Sequence, residues 1–144
     1  MKKLFILLFA VATISASANS KKITPANTVA NLLAEFETHV GWSAVVPEWK
    51  DMRDKWGNAT LACSNADCVA KRMVEFESYT KWSDVAPEWA KRRDGWIKDC
   101  AAAKTNAAVA KLLVEFESYV SWESVDEGWK TRRDGWVKEC SSAK

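Results

Sequence analysis

Val29-Ala-Asn-Leu-Leu-Ala-Glu-Phe-Glu37 returns as Val69-Ala-Lys-Arg-Met-Val-Glu-Phe-Glu77 and again as Val109-Ala-Lys-Leu-Leu-Val-Glu-Phe-Glu117, at a constant spacing of 40 residues. Further along each copy, Arg53-Asp54-Lys55-Trp56 answers Arg93-Asp94-Gly95-Trp96 and Arg133-Asp134-Gly135-Trp136. All nine tryptophans fall at three phases of this period: 42, 49 and 56, then 82, 89 and 96, then 122, 129 and 136. A fixed period of this length marks a repeat architecture. The repeats run over about 29–68, 69–108 and 109–144.

Each copy reads as two helices. Val29, Leu32, Leu33, Phe36 and Val40 take the offsets of one helical stripe, which buries one face and leaves the other wet. Val69, Met73 and Phe76 repeat the stripe, as do Val109, Leu112, Leu113, Phe116 and Val120. Thr28 stands where an N-cap would stand in the first copy. The second helix is expected from Pro47 and Pro87, because proline suits the first helical position. Asp126 caps the third copy's second helix instead. Those helices are expected to end near Thr60, Cys100 and Cys140, with residues 41–46 and their counterparts as the connecting turn. Gly95 and Gly135, inside the second helix, read as close-packing positions, since Lys55 holds the same phase in the first copy.

The expected fold is therefore all-α: three tandem αα-hairpins in one domain, stabilised by disulfides. They stack either as a short helical array or as a closed six-helix bundle. The pattern of periods does not choose between the two.

The chain opens on Lys2 and Lys3, an apolar run from Leu4 to Ile14, and the small-residue triplet Ala16-Ser17-Ala18. This is the layout of a cleavable secretory signal over residues 1–18, leaving a single domain over 19–144, secreted or periplasmic. The apolar run is shorter than the ~20 residues that span a bilayer. The 144-residue chain has 21 Lys plus Arg against 19 Asp plus Glu. Loss of Lys2 and Lys3 balances the charges, so no basic field steers the domain toward nucleic acid.

Four cysteines in an exported chain favour disulfides. A metal is disfavoured by a single histidine and by the lack of a Cys-x-x-Cys spacing. In an antiparallel hairpin, the start of the first helix and the end of the second share one end. That geometry pairs Cys68 with Cys100 and leaves Cys63 for Cys140. The competing scheme, Cys63–Cys68 with Cys100–Cys140, needs two same-phase positions on neighbouring helices to touch. Helix axes normally lie ~8–10 Å apart, so the first scheme is preferred.

Seven residues are nearly two helical turns, which puts Trp49 and Trp56 on one face with Arg53 between them. Trp89, Arg93 and Trp96 repeat this ladder, as do Trp129, Arg133 and Trp136. The ladder is expected to be core, with each guanidinium set between indoles for cation–π contact. Glu35, Glu75 and Glu115 are its expected carboxylate partners. Trp42, Trp82 and Trp122 precede the second helices and are the indoles most suited to exposure, as a repeated ledge. Catalysis is not expected. The Glu35/Glu37 pair and its copies lie two residues apart on a helix and cannot converge on one bond. His39 is single, replaced by Tyr79 and Tyr119 elsewhere. No cofactor is implied. The expected role is a non-catalytic module for protein interaction or structure. A Trp-lined glycan, apolar-ligand or membrane surface is the alternative.

Overall fold

The protein's structure, a computed structural model, describes residues 25–144. The signal read over residues 1–18, and its cleavage before Asn19, lie outside the described residues. Six α-helices and no strand are found among the described residues: α1 (Pro25–His39), α2 (Trp49–Leu61), α3 (Ala66–Tyr79), α4 (Trp89–Ala102), α5 (Asn106–Tyr119) and α6 (Glu127–Ser141). Short 3-10 turns at Trp42–Ala44, Trp82–Asp84 and Trp122–Ser124 connect α1 to α2, α3 to α4 and α5 to α6.

The helix starts differ from expectation for identifiable reasons. The side chain of Asn65 accepts from the Cys68 N–H at 2.8 Å, and that of Thr105 accepts from the Ala108 N–H at 3.1 Å. The cap phase thus lies three residues before Thr28, which is inside α1. Pro47 and Pro87 do not open α2 and α4. Trp49 N–H bonds to Val46 O at 2.9 Å and Lys50 N–H to Pro47 O at 3.1 Å. These i-to-i+3 bonds make Pro47 and Glu48 a tight lead-in turn, with regular helix only from Trp49. Asp126 does cap α6, accepting from the Trp129 N–H at 2.9 Å.

The apolar stripes of α1, α3 and α5 face one another. Phe36, Phe76 and Phe116 meet edge to face with centroids 6.2, 6.2 and 6.1 Å apart. Burying a phenylalanine contributes about 1.5–3 kcal/mol, and all three are essentially inaccessible. Around them, α2 packs on α1 and α3, α4 on α3 and α5, and α6 on α5 and α1. Every second helix thereby covers the seam between two first helices.

One disulfide is present, and it is not among the preferred pairs. Cys63 bonds Cys68, with Cα atoms 5.5 Å apart and five residues of separation. The turn after α2 folds Cys63 back over the first turn of α3, so the partner nearest in sequence is also nearest in space. The Cys68–Cys100 and Cys63–Cys140 pairs are both excluded. Cys100 and Cys140 are buried thiols at the ends of α4 and α6. Burial pushes each thiol up to about 12.

Candidate binding surface

Trp49, Trp56, Trp89, Trp96, Trp129 and Trp136 are at most 1% exposed and form the core's outer wall. Each pair on one helix packs indole against indole: Trp49 and Trp56 lie 5.3 Å apart, Trp89 and Trp96 5.2 Å, Trp129 and Trp136 4.9 Å. The guanidiniums expected between them are elsewhere, because direct indole contact fills that space.

The carboxylates that serve this wall are Glu37, Glu77 and Glu117, not Glu35, Glu75 and Glu115. Two residues on a helix turn through roughly 200°, so only one of each pair can face the second helix. Glu37 accepts from Trp49 Nε1 at 2.8 Å and from Arg53 Nε at 2.9 Å. Glu77 holds Trp89 and Arg93 at 2.9 and 2.7 Å, and Glu117 holds Trp129 and Arg133 at 3.0 and 2.9 Å. These carboxylates are only 4–6% exposed. A buried charge is tolerated when it is paired in this way; in Glu77 both bonds fall on Oε2, and Oε1 is buried without a hydrogen-bond partner. The second indole of each pair reaches onward instead. Trp56 donates to Arg72 O, Trp96 to Leu112 O and Trp136 to Leu32 O, at 2.8, 3.0 and 2.9 Å.

Glu35 and Glu115 face the neighbouring second helix. Arg132 bonds Glu35 at 3.0 Å and Glu139 at 3.0 Å, while Arg92 bonds Glu115 at 2.9 Å and Asp99 at 2.8 Å. The first copy lacks this bridge, having Met52 and Ala59 at the matching phases. Its acceptor Glu75 is met within its own helix by Arg72, 2.9 Å away. Glycine accompanies the bridging arginine. A Cβ at Gly95 would stand 3.0 Å from Arg92 Nη1, and one at Gly135 would stand 3.1 Å from Arg132 Nη1. These glycines clear a path for a side chain rather than for another helix. The repeat alignment held this signal, since Met52, Lys55 and Ala59 change together into Arg92, Gly95 and Asp99.

The three connecting turns hold each other. Val46 N–H bonds Tyr79 O at 2.9 Å and Lys81 N–H bonds Ala44 O at 2.8 Å. Ala86 with Tyr119, and Ser121 with Asp84, repeat the pairing at 2.7 and 2.8 Å. Asp126 with His39, and Gly41 with Ser124, complete it at 2.9 and 2.8 Å. All three turns therefore occupy one end of the molecule. Each presents one indole: Trp42 is 52% exposed, Trp82 58% and Trp122 46%. Behind Trp42 stand Lys50 at 5.7 Å and Arg53 at 5.9 Å from the ring centre. Arg93 stands 5.8 Å from Trp82, and Lys130 5.9 Å from Trp122. In the first two copies the ladder arginine, Arg53 or Arg93, thus stands over the exposed indole of its own turn, and in the third Lys130 takes that place.

Among the described residues, no group of three or more His, Cys, Asp or Glu side chains is placed to hold a metal ion. No helix among them is long and apolar enough to cross a membrane.

A family described as a domain of unknown function (DUF8799) matches residues 26–83, less than half of the chain. The matched segment is similar to that family from α1 through α3 and into the second tryptophan turn. No curated protein and no solved structure matches the chain.

Proposed function

We propose that this chain is an exported, non-catalytic binding module, built as three αα-hairpins closed into a six-helix ring that holds three tryptophan platforms at one end. The observation that carries the reading is the division of the indoles. Six are sealed in the core, while Trp42, Trp82 and Trp122 remain about half exposed at equivalent positions. Large exposed apolar groups repeated at one end of a molecule are the usual mark of an interaction surface. A cation packed behind each ring restrains it before any ligand arrives, which lowers the ordering cost of binding.

Ring closure is supported by the three turn-to-turn pairings and by α6 packing on α1. Export is supported by the signal pattern of residues 1–18 and by the Cys63–Cys68 disulfide, a bond that persists in oxidising compartments. The platform end disfavours anionic lipid. Its turns carry Lys81 against Glu48, Asp84, Glu88, Glu123, Asp126 and Glu127, and even with Lys50, Arg53, Arg93 and Lys130 at the rings it offers no net basic field to anionic headgroups. A neutral glycan stacked on the rings is the first reading, and a protein partner is the second, favoured by the Trp42–Arg53 and Trp82–Arg93 pairs, because tryptophan and arginine dominate the centres of protein interfaces.

Collisional quenching of tryptophan fluorescence tests the surface. Acrylamide should reach three of the nine indoles. Neutral glycans or a protein partner should shield them, whereas vesicles of anionic phospholipid should not. Shielding that persists in the Trp42→Ala/Trp82→Ala/Trp122→Ala variant would contradict the assignment.

A further inference from the structure

The three platforms are not equal, and the difference lies beside Trp42. In the first repeat two cavities share Glu37, Thr38 and Arg53. One, of about 170 Å³, reaches Trp42; the other, of about 320 Å³, runs on past Asp54 and Gly57 to Asn58 and Leu61. Together they make one groove between α1 and α2. From Trp49 to Gly57 it follows α2 for about 12 Å at 1.5 Å per residue.

The groove exists because two side chains are missing. Ala34 and Gly57 occupy phases that hold Val74 and Ile97 in the second repeat, and Val114 and Val137 in the third. A Cβ at Gly57 would meet nothing within 4 Å. In the second repeat the cavity instead lies beyond Val74 and Ile97, against Cys100 and Ala101. Val74 and Ile97 line that cavity at the phases of Ala34 and Gly57, and Trp82 is not part of it.

We propose that the first-repeat groove is a cleft for a short neutral glycan. One sugar ring stacks on Trp42, and the next lies across Arg53 toward Gly57 and Asn58. This rests on the platform reading above and deepens it at one of the three positions. Four features select the ligand class. The indole offers a flat apolar face suited to a pyranose ring, held from behind by Lys50 and Arg53. Beyond it the lining is rich in hydrogen-bonding groups: Thr38, Arg53, Asp54 and Asn58. Arg53 spends its Nε on Glu37, and its Nη1 is 4.0 Å from Asp54, too far for a hydrogen bond. The groove sets Glu37 and Asp54 against Arg53 and Lys50, a balance that gives a strongly charged ligand no advantage. Peptides are recognised by pairing with a sheet edge or by seating an apolar helix face in an apolar groove; this groove has no strand beside it, and Thr38, Arg53, Asp54 and Asn58 interrupt its apolar lining.

Isothermal titration of the whole protein against cellotriose, maltotriose, mannotriose and the N-acetylglucosamine trimer tests the cleft. At least one trisaccharide should bind saturably with one site per chain. Gly57→Ile, which installs the second repeat's residue, should weaken binding at least ten-fold, as should Trp42→Ala. Ile97→Gly should leave it unchanged. Circular dichroism establishes that each variant is folded. Binding of three trisaccharides per chain, with Trp82→Ala and Trp122→Ala as damaging as Trp42→Ala, overturns the cleft and leaves the platforms standing. So does binding that ignores Gly57→Ile. No binding by any trisaccharide overturns the cleft, as does Gly57→Ile-sensitive binding of a leucine-rich helical peptide alone. Failure of every probe to shield any of the three indoles sinks the platform reading itself.

Discussion

His39 Nδ1 lies 2.8 Å from Asp126 Oδ1, although 87 residues separate them in the chain. The imidazole also packs on Trp129, with ring centres 5.2 Å apart. Tyr79 on Trp49 and Tyr119 on Trp89 make the equivalent contacts at 5.0 and 4.9 Å. A phenol gives way to a titratable pair only where α6 meets α1. Gly128 accompanies the change, since a Cβ there would stand 3.3 Å from Asp126 Oδ1 and 3.4 Å from the imidazole.

The His39 hydrogen bond, and then the Trp129 N–H, hold the Asp126 carboxyl below its ordinary value of 3.8. A carboxyl depressed on folding adds stability above its unfolded pKa and loses it as pH falls through the folded value. The contribution is complete at neutral pH and fades below about pH 4. Thermal unfolding followed from pH 7 to pH 2.5 should show a flatter acid limb for Asp126→Asn than for the natural chain. Asp126→Ala, which also removes the cap, should cost about 1 kcal/mol at neutral pH. Equal acid limbs for Asn and Asp would remove the pair from the account.

Glu77 accepts both Trp89 and Arg93 while only 5% exposed. Glu77→Ala strands an indole N–H and a guanidinium at once, and should destabilise by about 3 kcal/mol in urea titration. The Glu77→Ala/Arg93→Ala pair should cost clearly less than the sum of the single changes. Additive costs would mean that the two side chains act separately.

Alanine normally gains about 1 kcal/mol over glycine inside a helix. Gly57→Ala should realise most of that gain, its Cβ meeting open space. Gly95→Ala should realise much less, because the new methyl crowds Arg92 away from Asp99 and Glu115. Denaturant midpoints of the two variants decide the point, and equal gains would contradict it.

Thiol counting checks the cysteines. The native protein should resist alkylation, since both thiols are buried and held near 12. Unfolded without reductant it should take up two labels, at Cys100 and Cys140. Zero labels would mean that Cys100 and Cys140 are oxidised too, which contradicts their assignment as free thiols. The Cys63–Cys68 bond closes a short loop, so its reduction should cost no more than about 2 kcal/mol.

Much of this was legible in residue phases. The stripe from Val29 to Val40 marked the inner helices, and three indole phases separated six wall positions from three turn positions. The choice between Glu35 and Glu37 was not legible, because both flank the stripe and their difference depends on the angle at which α2 approaches. The cysteine pairing failed because the turn at residues 62–65 folds back locally, which end-to-end reasoning about hairpins ignores. The meeting of the first and last turns was hidden for a different reason. Val40 and Val125 bridge each other, yet nothing in their local sequence says that the last turn meets the first. The groove beside Trp42 was visible only as two small residues, Ala34 and Gly57, until α1 and α2 were set side by side.

Ring closure is tested most directly by a crosslink between the ends. Thr28 and Ala143 hold the phases of Cys68 and Cys63, and Ala143 N–H bonds Cys140 O at 3.1 Å much as Cys63 N–H bonds Thr60 O at 3.0 Å. In a Cys63→Ala/Cys68→Ala background, Thr28→Cys/Ala143→Cys should oxidise in the folded state to a bond joining positions 28 and 143, recovered intact by non-reducing peptide mapping. An open array sets those positions two hairpins apart. Failure of the folded protein to form that bond, while Ala103→Cys/Ala108→Cys forms its local counterpart, would contradict the ring.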